Sequence, residues 1–328
     1  MRARLGQWAK RDRAGLLLPL VLVAVGCAPR DASSPVDEVD ARPAAPTDLS
    51  TPTRVVLLGT GTPVPDPERA GPAVAVVVGD RVYLVDAGAG VVRRAVAAWE
   101  AGESALRPEN LGRLFVTHLH SDHTIGIPDV LHMGWIQGRA TPLEVYGPPG
   151  IARMGRHLEA AWSEDVAVRR RGAEERLGEG WRIDAREVTP GLVYQDDLVR
   201  VTAFAVEHGS WERAYGYRFD TPDRSVVISG DAAPSEAVVS ACDGCDLLLH
   251  EVYSALAFRW LGADAQGYHS TFHTSTEELA ELARRARPGK LVLYHQLYFG
   301  VDDETLLQEL RDAGYEGALE SGRDLGVY

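Results

Sequence analysis

The stretch Thr117-His118-Leu119-His120-Ser121-Asp122-His123 holds four candidate metal ligands within six residues, directly after the apolar run Leu114-Phe115-Val116. The chain has only ten histidines in 328 residues, so three in one cluster is informative. Side chains alternate along an extended strand end, which turns His118 and His120 the same way. Asp122 and His123 follow at a turn and address a second position nearby. Neutral imidazoles with a carboxylate suit zinc or a similar first-row metal. Other apolar runs also end in acids or histidines. Asp86 follows Val82–Val85, Glu207-His208 follow Val199–Val206, and Asp231 closes Val226–Ile228 after Ser229-Gly230. His250-Glu251 follow Leu247–Leu249, and His295 follows Leu291–Tyr294. Strand ends gathered on one rim are where sheet proteins keep their chemistry.

Those residues need strands to carry them. Runs rich in Val, Ile, Leu and Tyr, bounded by Gly, Asp or Pro, predict strands at Arg54–Leu58, Ala73–Val78, Val82–Val85, Arg113–Thr117 and Leu143–Tyr146. The same signal predicts Val199–Val206, Tyr215–Phe219, Ser225–Ile228, Asp246–Leu249 and Leu291–Tyr294. Helices are expected at Val91–Glu100, Ile151–Trp162, Ser235–Ala241, Thr276–Ala286 and Glu304–Asp312. Thr274 and Glu277 fit a capping box for the fourth. Strands come in adjacent pairs early and late with helices between them. That order predicts an α/β fold of two mixed sheets packed face to face, with helices outside. The charged segment Glu164–Glu179 reads as a solvated insertion or loop.

Composition bounds the partners and the compartment. The net charge of -13 disfavours nucleic acid as a partner, because a nucleic-acid track needs a basic stripe. Residues 1–26 read as a signal peptide: a basic region to Arg13, then an apolar run from Leu16 to Val25 that is short for a transmembrane helix. Small residues before Cys27 resemble a bacterial lipobox, so Cys27 is expected to carry a lipid that meets the membrane. Residues 27–53, rich in Pro, Ala, Ser and Asp, read as a disordered tether, and 54–328 as one catalytic domain. The expected location is the periplasm or cell envelope. Cys242 and Cys245 in an exported protein are read first as a local disulfide.

Several motifs together resemble the metallo-β-lactamase superfamily of αββα hydrolases, and within it the branch of ribonuclease Z and the zinc arylsulfatases. They are Leu58-Gly59-Thr60-Gly61-Thr62-Pro63, Asp66-Pro67-Glu68-Arg69-Ala70-Gly71-Pro72, and Leu143-Glu144-Val145-Tyr146-Gly147-Pro148-Pro149-Gly150. Glu207-His208 with Tyr215-Gly216-Tyr217, His250-Glu251 and His273-Thr274-Ser275 continue the series. Val252-Tyr253 departs from the branch's usual ending. The resemblance implies two metals, zinc first, with manganese or iron able to use the same ligands. His118, His120 and His208 would hold one, Asp122, His123 and His295 the other, and Asp231 would bridge them. Asp86 would orient the metal loop by hydrogen bonds. His123 as a ligand, and no cysteine near Asp231, argue against a true β-lactamase.

The implied reaction is ester hydrolysis by a metal-bridged hydroxide. Asp122 would take or hold its proton, and His273, oriented by Glu251, would protonate the leaving group. The leading expectation is cleavage of a phosphodiester or sulfate ester in a small molecule, outside the cytoplasm. Lactone or thioester hydrolysis and a ribonuclease Z-type endonuclease are the alternatives. A homodimer is compatible with the branch. Diiron redox relatives use a flavin domain and carboxylate-rich ligands, and neither is visible.

Overall fold

The computed structural model describes residues 52–171 and 178–328. The signal peptide, Cys27 and all but the last two tether residues lie outside the described residues. No described helix is long and apolar enough to cross a membrane.

The apolar runs form strands buried on both faces. In β1 (Arg54–Gly59), Val55 and Leu57 enter one cluster while Val56 and Leu58 enter another. A strand with two apolar faces needs a second sheet on one side and helices on the other. The first sheet runs β1, β2 (Ala73–Val78), β3 (Arg81–Val85), β4 (Arg113–Phe115), β5 (Leu143–Gly147) and β6 (Ile183–Glu187). Its outer face is covered by α1 (Val91–Glu100), α3 (Ile127–Ile136) and α4 (Ile151–Ala161), with the single turn α2 (Ser121–Thr124) before α3. α5 (Ser163–Arg169) follows α4.

The second sheet comprises β7 (Gly191–Gln195), β8 (Arg200–His208), β9 (Trp211–Asp220), β10 (Ser225–Ile228), β11 (Leu247–Tyr253), β12 (Lys290–Leu297) and β13 (Leu319–Ser321), each beside the next. Helices α6 (Glu236–Cys242), α9 (Thr276–Ala286) and α10 (Asp303–Asp312) pack on its outer face. Between β11 and α9 lie α7 (Ala255–Phe258) and α8 (Ala263–Phe272). The central layer is shared: Tyr83 and Phe115 of one sheet meet Tyr217, Phe219 and Ile228 of the other. This is the expected αββα sandwich.

Register gathers the chemistry. Parallel pairing aligns Val85 with Phe115, Ile228 with Leu249, and Leu249 with Val292. The residues that follow, Asp86, Thr117, Asp231, Glu251 and His295, therefore emerge on one rim.

Several elements differ from expectation. β6, β7 and β13 were not expected, since Ile183-Asp184-Ala185-Arg186-Glu187 is mostly polar and β13 has three residues. α3 was missed because Pro128 in its first turn reads as a breaker, yet proline is tolerated there. Glu164–Glu179 is not wholly a loop, because α5 occupies its first turns. The capping box of α9 is Ser275 with Glu278, one residue on from Thr274 and Glu277. Thr274 is committed elsewhere: its hydroxyl donates to the Ala232 carbonyl (2.7 Å) and its amide to Glu251 (2.8 Å). Cys242 and Cys245 form a disulfide, and both are buried.

One carboxylate ties the two sheets together away from the rim. Asp196 accepts from the Tyr83 hydroxyl (2.7 Å) of β3, the Tyr194 hydroxyl (2.9 Å) of β7, and the amides of Leu198 (2.9 Å) and Val199 (2.8 Å). Burial opposes its charge, but these donors outweigh burial and lower its pKa. A depressed folded pKa makes the contribution complete above the unfolded carboxylate value of about 4 and loses it as pH falls through the folded value. Asp196→Ala should destabilise the domain by about 2–3 kcal/mol in urea unfolding. Acidification below about pH 4 should then cost the variant less stability than the wild type.

Candidate metal centre

The site is built outward from Asp86. This residue takes a left-handed conformation (φ 60°), uncommon for a side chain other than glycine, and so turns its carboxylate towards the end of β4. Oδ1 accepts the Thr117 amide (2.8 Å), and Oδ2 accepts the Thr117 hydroxyl (2.9 Å) and His123 Nδ1–H (2.8 Å). With its own proton given to Asp86, the Thr117 oxygen accepts from His118 Nδ1 (2.9 Å). The network thus assigns the proton to Nδ1 in both His118 and His123, leaving each Nε2 lone pair for a metal. The second sheet braces the same strand end: the Tyr215 amide donates to Thr117 (2.9 Å) and the Tyr217 hydroxyl to the Val116 carbonyl (2.8 Å).

Two donor sets result. His118, His120, His208 and Asp231 form one, and Asp122, His123 and His295 the other. In the first, His120 Nδ1 lies 2.9 Å from His118 Nε2 and 3.1 Å from His208 Nε2. His208 Nδ1 donates to the Phe272 carbonyl (2.8 Å), which frees its Nε2 as well. In the second, Asp122 Oδ2 is 3.4 Å from Nε2 of both His123 and His295. Asp231 faces both sets: its oxygens lie 3.4 Å from His123 and 3.5 Å from His295, and 4.0 Å from His118 and from His208. His295 reaches its place through a left-handed backbone (φ 48°) beside a register shift between β11 and β12. The donors fit two first-row metals. Bonds of about 2.0–2.2 Å to one tetrahedral ion separate its ligand atoms by little more than 3 Å. His123 Nε2 and Asp231 Oδ1 are buried with no hydrogen-bond partner, as atoms reserved for a cation would be.

The local electrostatics keep most donors in their binding forms. Burial, then the neighbouring His123, holds His118 well below its ordinary pKa. Burial and His208 hold His120 down to about 4. For His123, burial works downwards but is outweighed by Asp231, Asp86 and Asp122, which raise it. Burial would raise Asp122, but hydrogen bonds from His123 and His295 overrule it and keep the carboxylate ionised. Asp231 is likewise lowered against burial, by His295 and His123.

Glu251 and His273 lie beside this centre. A His273 nitrogen is within 4.8 Å of the ligand atoms of Asp231 and His295, and His273 Nδ1 is 3.4 Å from Glu251 Oε2. His250 is buried with Nδ1 on the Glu251 carbonyl (2.6 Å) and joins neither donor set. His132 packs against Trp162, and His157 is exposed on α4. Tyr298 lies beneath the Arg69 guanidinium (4.7 Å) and donates to Asp303. Sequence reasoning gave no role to Thr117, although its place between strand end and first histidine was the available signal. It also missed that the Trp211 indole nitrogen sits 2.6 Å from His120 Nε2. A cavity of about 500 Å³ opens beside the centre, bounded by Thr62, Pro65, Arg69, Ser121 and Asp122.

The chain matches the family described as Beta-lactamase superfamily domain over residues 81–296. It is 32% identical over 275 residues to the ribonuclease Z of Mycobacterium bovis (strain BCG / Pasteur 1173P2), covering 83% of this chain and 96% of that one. Its fold is similar to the metallo-beta-lactamase fold protein YhfI from Bacillus subtilis, with a TM-score of 0.64, 19% identity, and 85% and 100% of the two chains covered. The short form of human tRNase Z gives a TM-score of 0.62 at 22% identity, with 84% and 98% covered. The ribonuclease Z relatives overturn the expectation that acidity disfavours nucleic acid as a partner. Net charge sums the whole surface, whereas a scissile phosphate meets only the cleft and the cations its ligands can hold.

Asp86→Asn preserves size and tolerates the left-handed backbone, but presents an N–H₂ where two hydrogen-bond donors now converge. It should weaken metal binding roughly 10–100-fold, read by competition with a chelator, while circular dichroism stays unchanged.

Proposed function

Because the chain belongs to the metallo-β-lactamase-fold superfamily, with ribonuclease Z among its relatives, we propose that it is a metal-dependent endonuclease that hydrolyses phosphodiester bonds in RNA. The observation that carries this reading is the paired donor set converging on Asp231, in a chain matched over 96% of the M. bovis ribonuclease Z. Two zinc ions are the proposed cofactors, one held by His118, His120 and His208, the other by Asp122, His123 and His295, with Asp231 shared. Manganese or iron fits the same ligands. When bound, such a pair supplies an acidified water and charge on the phosphate oxygens.

The remaining work falls to this chain's own residues. Ionised Asp122 can accept the proton of the attacking water. His273 is held down to about 4 by burial, so it rests as the neutral imidazole. Burial, then the Asp231 carboxylate, raises Glu251 well above the ordinary carboxylate range. Glu251 Oε2 stands 3.4 Å from His273 Nδ1, and His273 so placed would donate from Nε2–H to the departing oxygen. Glu251 is fixed for this by the Thr274 amide (2.8 Å). Exposed Arg153 and Arg156 stand on α4, whose N-cap Gly150 lies against Leu119 of the metal loop, and would offer a local basic surface to an RNA backbone. Export remains part of the proposal. The Cys242–Cys245 disulfide supports it, because such bonds persist in oxidising compartments.

Purified protein supplied with zinc or manganese should cut an RNA bearing a single-stranded 3′ extension, and a chelator should stop it. Asp231→Ala should lower kcat on the order of 10³-fold. Turnover of an aryl sulfate with no cleavage of any RNA would contradict the reading.

A further inference from the structure

Of the segment between β11 and α9, only its end, Phe272 to Thr274, has a part in the chemistry described so far, yet α8 stands over the metal centre. α8 buries none of its residues, an unusual condition for a helix that only supports a fold. Its last turn carries Tyr268, which is 45% exposed. One face of the Tyr268 ring stacks on Phe272, with centroids 4.3 Å apart and planes 20° from parallel. His269 meets Tyr268 edge-on at 5.1 Å, and the His273 ring lies 6.3 Å away.

The pair is fixed to the metal ligands. Phe272 packs edge-on against the His208 ring at 5.0 Å, and its carbonyl accepts the hydrogen bond from His208 Nδ1–H. The Phe272 ring fills the space over Gly209, where a Cβ would come within 2.1 Å of it. Gly209 also has a left-handed backbone (φ 54°), so a side chain there is excluded twice. Tyr268 is thus one ring removed from a metal ligand, through contacts that leave little freedom. The negative charge of Asp231 and Asp122 reaches its hydroxyl and, after burial, contributes to raising its pKa.

An aromatic ring stacked on Phe272, 45% exposed and locked beside a phosphate-cleaving centre suits one kind of ligand. Every nucleobase has a flat π-face, and stacking on such rings is sequence-tolerant. Sequence-specific contacts would need polar groups aimed at base edges, whereas Tyr268 offers its face. We propose that Tyr268, backed by Phe272, is a stacking platform for an unpaired nucleobase of the nucleotide flanking the scissile phosphate, a binding subsite that rests on the RNA-hydrolase reading above. An unpaired base can swing onto the ring, while a base inside a duplex cannot. The platform therefore selects single-stranded RNA at the cut.

The test uses the metal-loaded protein and an oligoribonucleotide substrate in two forms, one intact and one abasic at the flanking nucleotide. Tyr268→Ala should raise KM for the intact RNA roughly 5–150-fold with kcat nearly unchanged. The abasic substrate should raise KM of the wild type similarly. Combining the two should add nothing further, because both remove the same contact. Tyr268→Phe should keep wild-type KM, since the ring and not the hydroxyl is used. Independently of turnover, 2-aminopurine at the flanking position should be quenched on binding wild type and Tyr268→Phe, but not Tyr268→Ala. Additive losses from variant and abasic site, or equal damage from Phe and Ala, would overturn the platform while leaving the RNA-hydrolase reading intact. Failure of the wild type to cut either RNA, with bis-p-nitrophenyl phosphate still hydrolysed, would instead overturn that reading.

Discussion

Everything at the rim depends on one buried carboxylate. Asp86 receives the Thr117 amide and hydroxyl and the His123 ring proton, and through Thr117 it sets the His118 ring. Two nitrogens of the donor sets therefore have their direction and tautomer decided by one side chain. That side chain is held in a left-handed backbone, a conformation costing on the order of 1–3 kcal/mol outside glycine. Three hydrogen bonds to a buried carboxylate offset a cost of that size. The corner stays compact because Gly88, two residues on, lies so close to Gly71 that a Cβ would sit 2.3 Å from its carbonyl carbon.

The centre forms where two halves of the chain meet. The first sheet delivers Asp86 and the His118–His123 loop, and the second delivers His208, Asp231, Glu251 and His295. Hydrogen bonds from Tyr215 and Tyr217 to Val116 and Thr117 set the distance between the halves. Asp231 lies at the seam and faces donors from both. Like-charged cations at neighbouring positions need an anion between them, and ordinary stabilisation does not account for a buried aspartate aimed at four imidazoles.

The sequence made much of this legible because strands buried on both faces read as long apolar runs, and polar residues at their ends stand out. Arg54–Gly59 and Ala73–Val78 are of this kind. The edge strand Ile183–Glu187 was not legible, since it is half exposed and carries little apolar signal, and in Gly191–Gln195 the apolar run is only three residues long. Helix Ala263–Phe272 was not legible either: it buries nothing, so it has no apolar stripe to detect. Thr117 was invisible for a different reason. A threonine at a strand end is ordinary, and only its contact with Asp86, 31 residues away, gives it a role. The acidic composition misled about nucleic acid, because it averages over surfaces that a substrate does not touch.

On the proposed reading, Asp122 would stand on the side of the attacking water, and His273, beside Glu251, on the side of the leaving oxygen. On that reading the attacking oxygen would come from water and not from the neighbouring ribose hydroxyl. The most direct measurement of that claim is end-group analysis of RNA cut by the metal-loaded protein, using one substrate with a single 2′-deoxy nucleotide at the scissile position. Water attack predicts that the deoxy substrate is still cut and that no 2′,3′-cyclic phosphate is formed. Cyclic phosphate ends, or complete resistance of the deoxy substrate, would contradict it.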